Sequence, residues 1–251
     1  MKSILKTLSI CLSLTASTTL TGQSMTIQGE SSRAVKIDRS QILVETVLTK
    51  EEQEALTPRE VLESLKAGNE RFVRSDLTAR DHSAQIRESA DTQFPKAIIL
   101  SCVDSRVPVE DVFDKGIGDI FVARVAGNFI NEDILGSMEF ATKVAGAKLI
   151  LVLGHENCGA IHAAIDGAKM GHITKMLENI KPAIKRSNLA TGPRSSQNRL
   201  LVHEVCENNV RIAMENIVKE SPLLKTMMEN GEIGIEGAVY DMDTGVVNFI
   251  R

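Results

Sequence analysis

Short apolar runs alternate with helix-like segments through the middle of the chain, and this alternation limits the fold more than any other feature. The runs are rich in Ile, Val and Leu and cover residues 96–102, 119–125, 148–155 and 233–241. Continuous apolar strands separated by helices are typical of a parallel sheet with helices on both faces. The sequence therefore predicts an α/β fold with a central, mostly parallel sheet flanked by helices.

The predicted topology also indicates where a functional site should lie. Right-handed crossovers bring the carboxyl ends of all parallel strands to one edge of the sheet, and ligands bind at that edge. A chain of 251 residues, 43% hydrophobic, is long enough for one such domain with a sizeable core. We therefore expect the functional side chains directly after the apolar runs.

The first residues of the chain have a different character. Residues 1–23 resemble an export signal, because Lys2 and Lys6 precede a moderately apolar stretch and small and polar residues follow it. The stretch is too short and too rich in Ser and Thr for a stable membrane span. A disordered N-terminal tail is the alternative interpretation. We predict a cleaved signal peptide and a periplasmic or otherwise exported protein.

A polar region separates this segment from the domain. Residues 24–54 show no sustained periodicity, which predicts a linker or N-terminal arm that a partner surface would order. The domain then spans 55–251. A capping-box pattern formed by Thr57 and Glu60 predicts a helix at its start, with Gly68 as a candidate end.

Composition excludes one broad class of function. The net charge is −4 and the sequence has no run of basic residues, which disfavours a general nucleic-acid binder. Aromatic residues make up only 3% of the chain and offer few platforms for stacking bases. We expect no nucleic-acid partner.

Two groups of chemically versatile residues follow predicted strands. Cys102 ends the first apolar run, and Asp104 and Arg106 follow at alternate positions, which share one side of an extended chain. His155 ends the third run, and Cys158 follows three residues later. Thiolates and imidazole are preferred zinc ligands, and three protein ligands leave a fourth position open, as in catalytic sites. The pattern predicts a catalytic site with one Zn²⁺ per subunit.

Other interpretations of these residues remain open at this point. In an oxidising compartment Cys102 and Cys158 would be able to form a disulfide, and a redox switch of this kind would hold no metal. A non-catalytic zinc-binding module is a further alternative. Such a module would need neither Asp104 nor Arg106, so their presence favours catalysis.

The remaining Cys and His residues lack a comparable pattern. Cys206 lies in a segment with helical periodicity and is predicted to be a small packed thiol. His162 follows Cys158 by four residues and is expected to be solvated or to lie behind the ligands. His82, His172 and His203 are expected at the surface.

Taken together, several segments resemble the β-class carbonic anhydrases, and the export-like start resembles their exported bacterial members. The resemblance is carried by SCVDSRVPVE (101–110), GDIFVARVAGN (118–128), LGHENCGAI (153–161) and GAVYDMDTGVV (237–247), with LKAGNERFV (65–73) near the start of the domain. It covers residues 55–251. The resemblance implies a zinc-dependent lyase that reversibly hydrates carbon dioxide to bicarbonate and a proton.

The resemblance also implies roles for the residues around the metal. Cys102, His155 and Cys158 would hold zinc. Asp104 would either take the fourth position or leave it to water. In the second case Asp104 would pair with Arg106 and accept a hydrogen bond from zinc-bound hydroxide.

A substrate pocket and an assembly follow from the same resemblance. Carbon dioxide or bicarbonate would bind beside Ala126, Gly127 and Asn128, near the backbone of Gly159. The chain would form a homodimer or a higher homo-oligomer, with N-terminal helices embracing the partner. Hydrolysis of carbonyl sulfide or carbon disulfide is a related alternative activity.

Overall fold

The structure is a computed structural model that describes residues 46–188 and 192–250. The predicted signal peptide, residues 1–23, lies outside the described residues, as does most of the predicted arm. The strands are β1 (Ala97–Ser101), β2 (Ile120–Arg124), β3 (Leu149–His155), β4 (Gly234–Tyr240) and β5 (Val247–Ile250). The helices are α1 (Lys50–Ala55), α2 (Pro58–Val73), α3 (His82–Glu88), α4 (Val109–Val112), α5 (Glu132–Glu139), α6 (Gly159–Ile165), α7 (Gly171–Leu177), α8 (Lys181–Arg186), α9 (Arg199–Glu220) and α10 (Pro222–Glu229).

The five strands form one sheet in the order β2-β1-β3-β4-β5. The first four strands in this order are parallel, and β5 is antiparallel to β4. Every residue of β1 and β3 is buried, which explains why both strands are apolar without alternation. The predicted α/β fold with a mostly parallel sheet is confirmed.

Helices cover both faces of the sheet. On one face, α9 packs through Val210 and Ala213 against a layer that contains Leu100 and Val152. On the other face, side chains of α2, α4 and the central strands form the second layer: Val61, Leu65, Val109, Val112, Ile99 and Leu151. Both layers are mainly aliphatic, although the second also buries Phe113 and Tyr240.

Strand β5 was not predicted. It returns from β4 through a turn in which Asp241 Oδ1 accepts hydrogen bonds from the backbone N–H groups of Asp243 and Thr244. Gly245 completes the turn with a φ of +78°, in the left-handed region that favours glycine. The strand has only four residues, which is too short for a clear periodic signal in the sequence.

Helix α2 continues past Gly68, so the predicted helix end there is wrong. Thr57 and Glu60 form the predicted capping box. A Cβ atom at Gly68 would lie 1.9 Å from the carbonyl oxygen of Phe113. The glycine therefore allows the helix to approach the backbone beside α4, and it does not terminate the helix.

The last residues of the predicted arm are helical and pack against the domain. Helix α1 begins after Thr49, which forms a capping box with Glu52. The Gln53 side chain is buried and donates hydrogen bonds to the carbonyl oxygens of Pro95 and Ala145 at 2.7 and 2.8 Å. Because α1 is held by this polar side chain, the helix has no apolar periodicity from which it could be predicted.

Within the described part of the chain, no helix combines the length and apolar character that a membrane crossing needs.

A buried carboxylate holds the segment that follows α2. The Asp114 side chain has no exposed surface and accepts hydrogen bonds from Arg71, Arg80 and Thr78 at 2.5–2.7 Å. Burial alone would raise the pKa of Asp114, but the hydrogen bonds from Thr78, Arg80 and Arg71 outweigh it and hold the pKa below its usual range. The carboxylate therefore stabilises the fold in its ionised form.

We expect Asp114→Asn to destabilise the protein by about 3 kcal/mol, because two guanidinium groups would lose their buried partner. The native stabilisation should be present above about pH 4 and be lost as the pH falls below that value, because the pKa is lower in the folded than in the unfolded state. Urea unfolding across pH would measure both effects. The exposed neighbour Asp111 supplies the control Asp111→Asn, and equal stability of the two variants would contradict the prediction.

Candidate metal centre

Three potential metal ligands meet at the carboxyl edge of the sheet. Cys102 follows β1 directly, His155 ends β3, and Cys158 is the N-terminal capping residue of α6. Their ligand atoms all lie within 4.8 Å of one another, and all three residues are buried. The register of the sheet explains this, because Ser101 pairs with Leu153 and Cys102 therefore leaves β1 close to His155, which ends β3 two residues further along.

The imidazole of His155 is oriented with one nitrogen free. Its Nδ1 lies 2.8 Å from the carbonyl oxygen of Glu156, and since a carbonyl only accepts, Nδ1 carries the proton and donates. The Nε2 atom is buried and has no hydrogen-bond partner among the described residues. A hydrogen bond of this kind fixes the tautomer of a metal-binding histidine. Nε2 therefore presents a lone pair towards the two cysteines.

The two thiols are close but not bonded. The Sγ atoms of Cys102 and Cys158 are 3.9 Å apart, and both cysteines are free. A disulfide requires about 2.05 Å, whereas two ligands about 2.3 Å from one tetrahedral zinc ion lie about 3.8 Å apart. The hydrogen bond between the thiols lowers the pKa of Cys102, and it raises that of Cys158. The separation fits a shared cation.

Backbone groups further favour charge on these sulfurs. The N–H of Gly127 donates to Cys102 Sγ at 3.4 Å. Cys158 lies at the start of α6, and the backbone N–H of Ile161 acts to lower its pKa. Two thiolates, one imidazole lone pair and burial make a donor set that fits zinc.

Asp104 and Arg106 form a bidentate pair beside this centre. The Nε and one terminal nitrogen of Arg106 lie 2.9 and 2.8 Å from the two carboxylate oxygens of Asp104. Asp104 Oδ2 is 3.8 Å from His155 Nε2. The side-chain hydrogen bond from Arg106 holds the pKa of Asp104 well below its usual range. The carboxylate is therefore an ionised acceptor that faces the ligand atoms.

The segment that carries this pair is a turn, not an extended chain. Arg106 donates its backbone N–H to Asp104 Oδ1 at 3.0 Å, and Val107 donates to the carbonyl oxygen of Asp104. The expectation that one extended segment presents Cys102, Asp104 and Arg106 on one side is wrong in this respect. An aspartate readily accepts the backbone N–H two residues ahead, and this local bond competes with the extended conformation.

The residues expected to line a substrate pocket adjoin one another. Gly127 has a φ of +83°, and a Cβ atom there would lie 3.3 Å from Cβ of Ala160. Gly159 is exposed, with open space where a side chain would project. Asn128 is buried, and its Nδ2 has no hydrogen-bond partner among the described residues. Ala126 is half-buried. The loop 126–128 therefore lies against the start of α6.

Helix α9 contributes contacts that sequence reasoning missed. Cys206 is buried, as predicted, and its thiol donates to the carbonyl oxygen of His155 at 3.3 Å. Burial raises the pKa of Cys206 to about 12, so this thiol stays protonated. Asn209 Nδ2 donates to the carbonyl oxygen of Gly127 at 2.8 Å. In the sequence, these contacts could have been indicated only by polar residues on the predicted buried face of this helix.

The other histidines are divided between the surface and the interior. His82 and His172 are exposed, as expected. His203 is also exposed, as expected, and its Nδ1 lies 3.3 Å from a carboxylate oxygen of Glu156. His162 is partly buried, and its Nε2 is enclosed without a hydrogen-bond partner among the described residues.

Solved structures with a similar fold define the class. The β-carbonic anhydrase of Aspergillus fumigatus superposes with a TM-score of 0.61 at 23% identity, covering 77% of this chain and 90% of that one. A Coccomyxa β-carbonic anhydrase, solved with acetazolamide, gives a TM-score of 0.60 at 22% identity, with 76% and 82% covered. The fold is that of the β-carbonic anhydrases.

Sequence relatives are closer. Carbonic anhydrase 2 of Mycobacterium tuberculosis is 36% identical over 191 residues, which are 72% of this chain and 87% of that protein. The carbonic anhydrase of Mycolicibacterium smegmatis is 33% identical over 190 residues, with 73% and 89% covered. The family model described as carbonic anhydrase matches residues 97–247. The chain therefore belongs to the carbonic anhydrase family.

We expect His155→Ala to lower the zinc content of the purified protein from one equivalent per chain to a small fraction of that value, because only two ligands would remain. Elemental analysis after dialysis would measure the content. The exposed His172 provides the matched control, and His172→Ala should retain the full equivalent. Full retention by His155→Ala would contradict the assignment of this ligand.

Proposed function

We propose that this protein is a zinc-dependent carbonic anhydrase that reversibly hydrates carbon dioxide to bicarbonate and a proton. The family and the fold support the class of enzyme. The observation that carries the proposal is the buried, unpartnered Nε2 of His155 beside the free thiols of Cys102 and Cys158. Each chain would hold one Zn²⁺ ion through these three residues.

Zinc in such a site supplies Lewis-acid activation of water at near-neutral pH. Asp104 has a different task, since its depressed pKa keeps it ionised and unable to donate. Its Oδ2 atom lies 3.8 Å from His155 Nε2. Asp104 accordingly accepts a hydrogen bond from the attacking oxygen and turns a lone pair of that oxygen towards the carbon of carbon dioxide.

Arg106 keeps Asp104 in this acceptor role. Two parallel hydrogen bonds occupy both carboxylate oxygens, and a third bond joins the guanidinium to the carbonyl oxygen of Asn157 at 3.3 Å. A bidentate pair restricts both the position and the orientation of the carboxylate. Arg106 therefore holds Asp104 beside the metal ligands as an acceptor, which favours water over Asp104 in the fourth position.

The loop 126–128 and the start of α6 are proposed to bind the substrate. Gly127, between Ala126 and Asn128, lies beside Ala160, the residue that follows the exposed Gly159. The buried Nδ2 of Asn128 is a donor without a partner among the described residues. It would hydrogen-bond an oxygen of carbon dioxide or bicarbonate.

We expect Asp104→Asn to retain zinc and to lose carbon dioxide hydration by roughly 100-fold or more, because an amide is a weaker acceptor and the Arg106 pair loses its charge. Stopped-flow hydration and zinc analysis of the same samples would test this. Asp111→Asn, a change at an exposed aspartate nearby, should leave turnover unchanged. Full turnover by a zinc-free wild-type sample would refute the proposed function.

We expect the hydration rate to rise from about pH 7 towards alkaline values. Two thiolate ligands offset the charge of a divalent cation, so water is less acidified than by three neutral histidines. A pH profile of kcat with zinc quantified in parallel would check this.

Turnover of carbonyl sulfide or carbon disulfide above that of carbon dioxide would favour the related hydrolase activity. A zinc-loaded chain inactive on all three substrates would indicate a non-catalytic module.

Assembly into a homodimer or larger homo-oligomer is part of the proposal. Strand β2 lies at the edge of the sheet, and exposed Phe140 and Val144 lie in the π-helical turn Phe140–Val144 that continues α5. Two Sordaria macrospora β-carbonic anhydrases of the same fold are described as tetrameric; the matching chain has a TM-score of 0.58 at 19% identity. Light scattering of the purified protein would give its mass.

Export to the periplasm or beyond is likewise a proposal, supported by the pattern of residues 1–23. The mature N-terminus would begin after this segment. Cell fractionation followed by mass determination of the purified chain tests both points. A full-length chain confined to the cytoplasmic fraction would refute it.

A further inference from the structure

Helix α9 reaches both segments that support the metal ligands. Cys206 and Asn209 are three positions apart and so lie on one face of the helix. The Cys206 thiol donates to the carbonyl oxygen of His155, and the Asn209 amide donates to the carbonyl oxygen of Gly127. The Asn209 contact is the shorter of the two, at 2.8 Å, and joins residues 82 positions apart in the chain.

The Asn209 side chain is held in the interior. It is only 3% exposed, so its amide cannot turn to bulk water if the contact with Gly127 is broken. Leaving a buried donor without an acceptor is unfavourable. The Gly127 carbonyl is therefore firmly restrained by α9.

Gly127 needs such an external restraint. Its φ of +83° lies in the left-handed region. Because glycine has no Cβ atom, it adopts positive and negative φ values about equally well, so it does not hold this conformation by itself. Any other residue at this position would have less conformational freedom, but its Cβ atom would lie only 2.7 Å from Cδ1 of Ile180. The conformation of this residue consequently depends on bonds to its own carbonyl and to its neighbours.

The orientation of Gly127 matters because its N–H donates to a metal ligand. This N–H lies 3.4 Å from Cys102 Sγ. A hydrogen bond to a thiolate stabilises its charge, and groups that hydrogen-bond to metal ligands orient them and tune the metal. The carbonyl and the N–H of Gly127 flank one Cα atom, so a restraint on the first limits the direction of the second.

We propose that Asn209 is a positioning residue for the metal centre: by holding the Gly127 carbonyl, it keeps the Gly127 N–H directed at Cys102 Sγ. This inference rests on the proposed zinc centre. Asn209 hydrogen-bonds the backbone of Gly127, which is also one of the residues proposed to bind the substrate, and it acts on the ligand Cys102 through that backbone.

The first test is the rate at which the zinc-loaded, full-length protein releases zinc to an excess of chelator. We expect Asn209→Ala to release zinc roughly tenfold faster than the wild type, in line with the usual effect of removing such a partner. Asn208→Ala changes a half-buried asparagine at the preceding position of the same helix and should release zinc at the wild-type rate. Asp114→Asn is a second control: it should destabilise the fold, but it should not release zinc faster than the wild type.

The second measurement reports the hydrogen bond itself. In protein loaded with cadmium-113, scalar coupling through sulfur should link the metal to the amide proton of Gly127 in the wild type and in Asn208→Ala. The coupling should be lost in Asn209→Ala. If that variant does not fold, Asn209→Ser, whose hydroxyl is one bond too short to reach, replaces it.

The experiments distinguish a failure of the proposed function from a failure of the inference about Asn209. A wild-type chain that binds no zinc would overturn the proposed function, and with it the basis of this inference. A zinc-binding wild type whose Asn209 variant retains the coupling and the slow release would leave the metal centre in place. That result would reduce Asn209 to a packing residue and overturn the inference alone.

Discussion

Parallel pairing between β1 and β3 is the constraint on which the metal centre depends. The register runs from Ala97 opposite Leu149 to Ser101 opposite Leu153, and β3 continues for two more residues to His155. Cys102 and the end of β3 therefore leave the sheet at the same edge. A slip of one residue would exchange the faces of every buried side chain. Because both strands are buried throughout, the two hydrophobic layers that enclose the sheet hold this register and thereby place the ligands.

The chemistry of the centre follows from how its buried polar atoms are satisfied. His155 Nδ1 is satisfied by the carbonyl oxygen of Glu156, and Asp104 is satisfied by Arg106. His155 Nε2 has no such partner within the described part of the chain. Burying a polar atom without a partner is unfavourable. The same atom thus lowers the stability of the fold and offers a lone pair to a metal ion, so the fold and the candidate metal site are coupled through one atom.

Support for the ligands comes from both sides of the sheet edge. The turn after β1 closes Arg106 back onto Asp104, so a local backbone preference sets the position of the carboxylate. Helix α9 acts over a longer distance and contacts the backbone beside two different ligands through Cys206 and Asn209. The geometry at the metal therefore depends on packing of a helix that contributes no ligand.

Much of this arrangement is predictable from the sequence, for reasons that are local. The four parallel strands are runs of Ile, Val and Leu long enough to identify, and Cys102, His155 and Cys158 adjoin their ends. Strand β5 and helix α1 escaped prediction because a four-residue strand and a six-residue polar helix carry almost no periodic signal. The helix end predicted at Gly68 was wrong for a related reason. The sequence shows that the residue is a glycine, but it does not show that this glycine allows α2 to approach Phe113.

The amino-acid sequence by itself determined the fold class, the three candidate metal ligands and the presence of a carboxylate–guanidinium pair beside them, because each depends on short patterns along the chain. Only the tertiary structure decided that Nε2 of His155 carries the free lone pair, that the Cys102–Arg106 segment is a turn, and that Asn209 restrains Gly127. These features depend on distances between groups that packing of the core brings together, in the last case across 82 residues of chain.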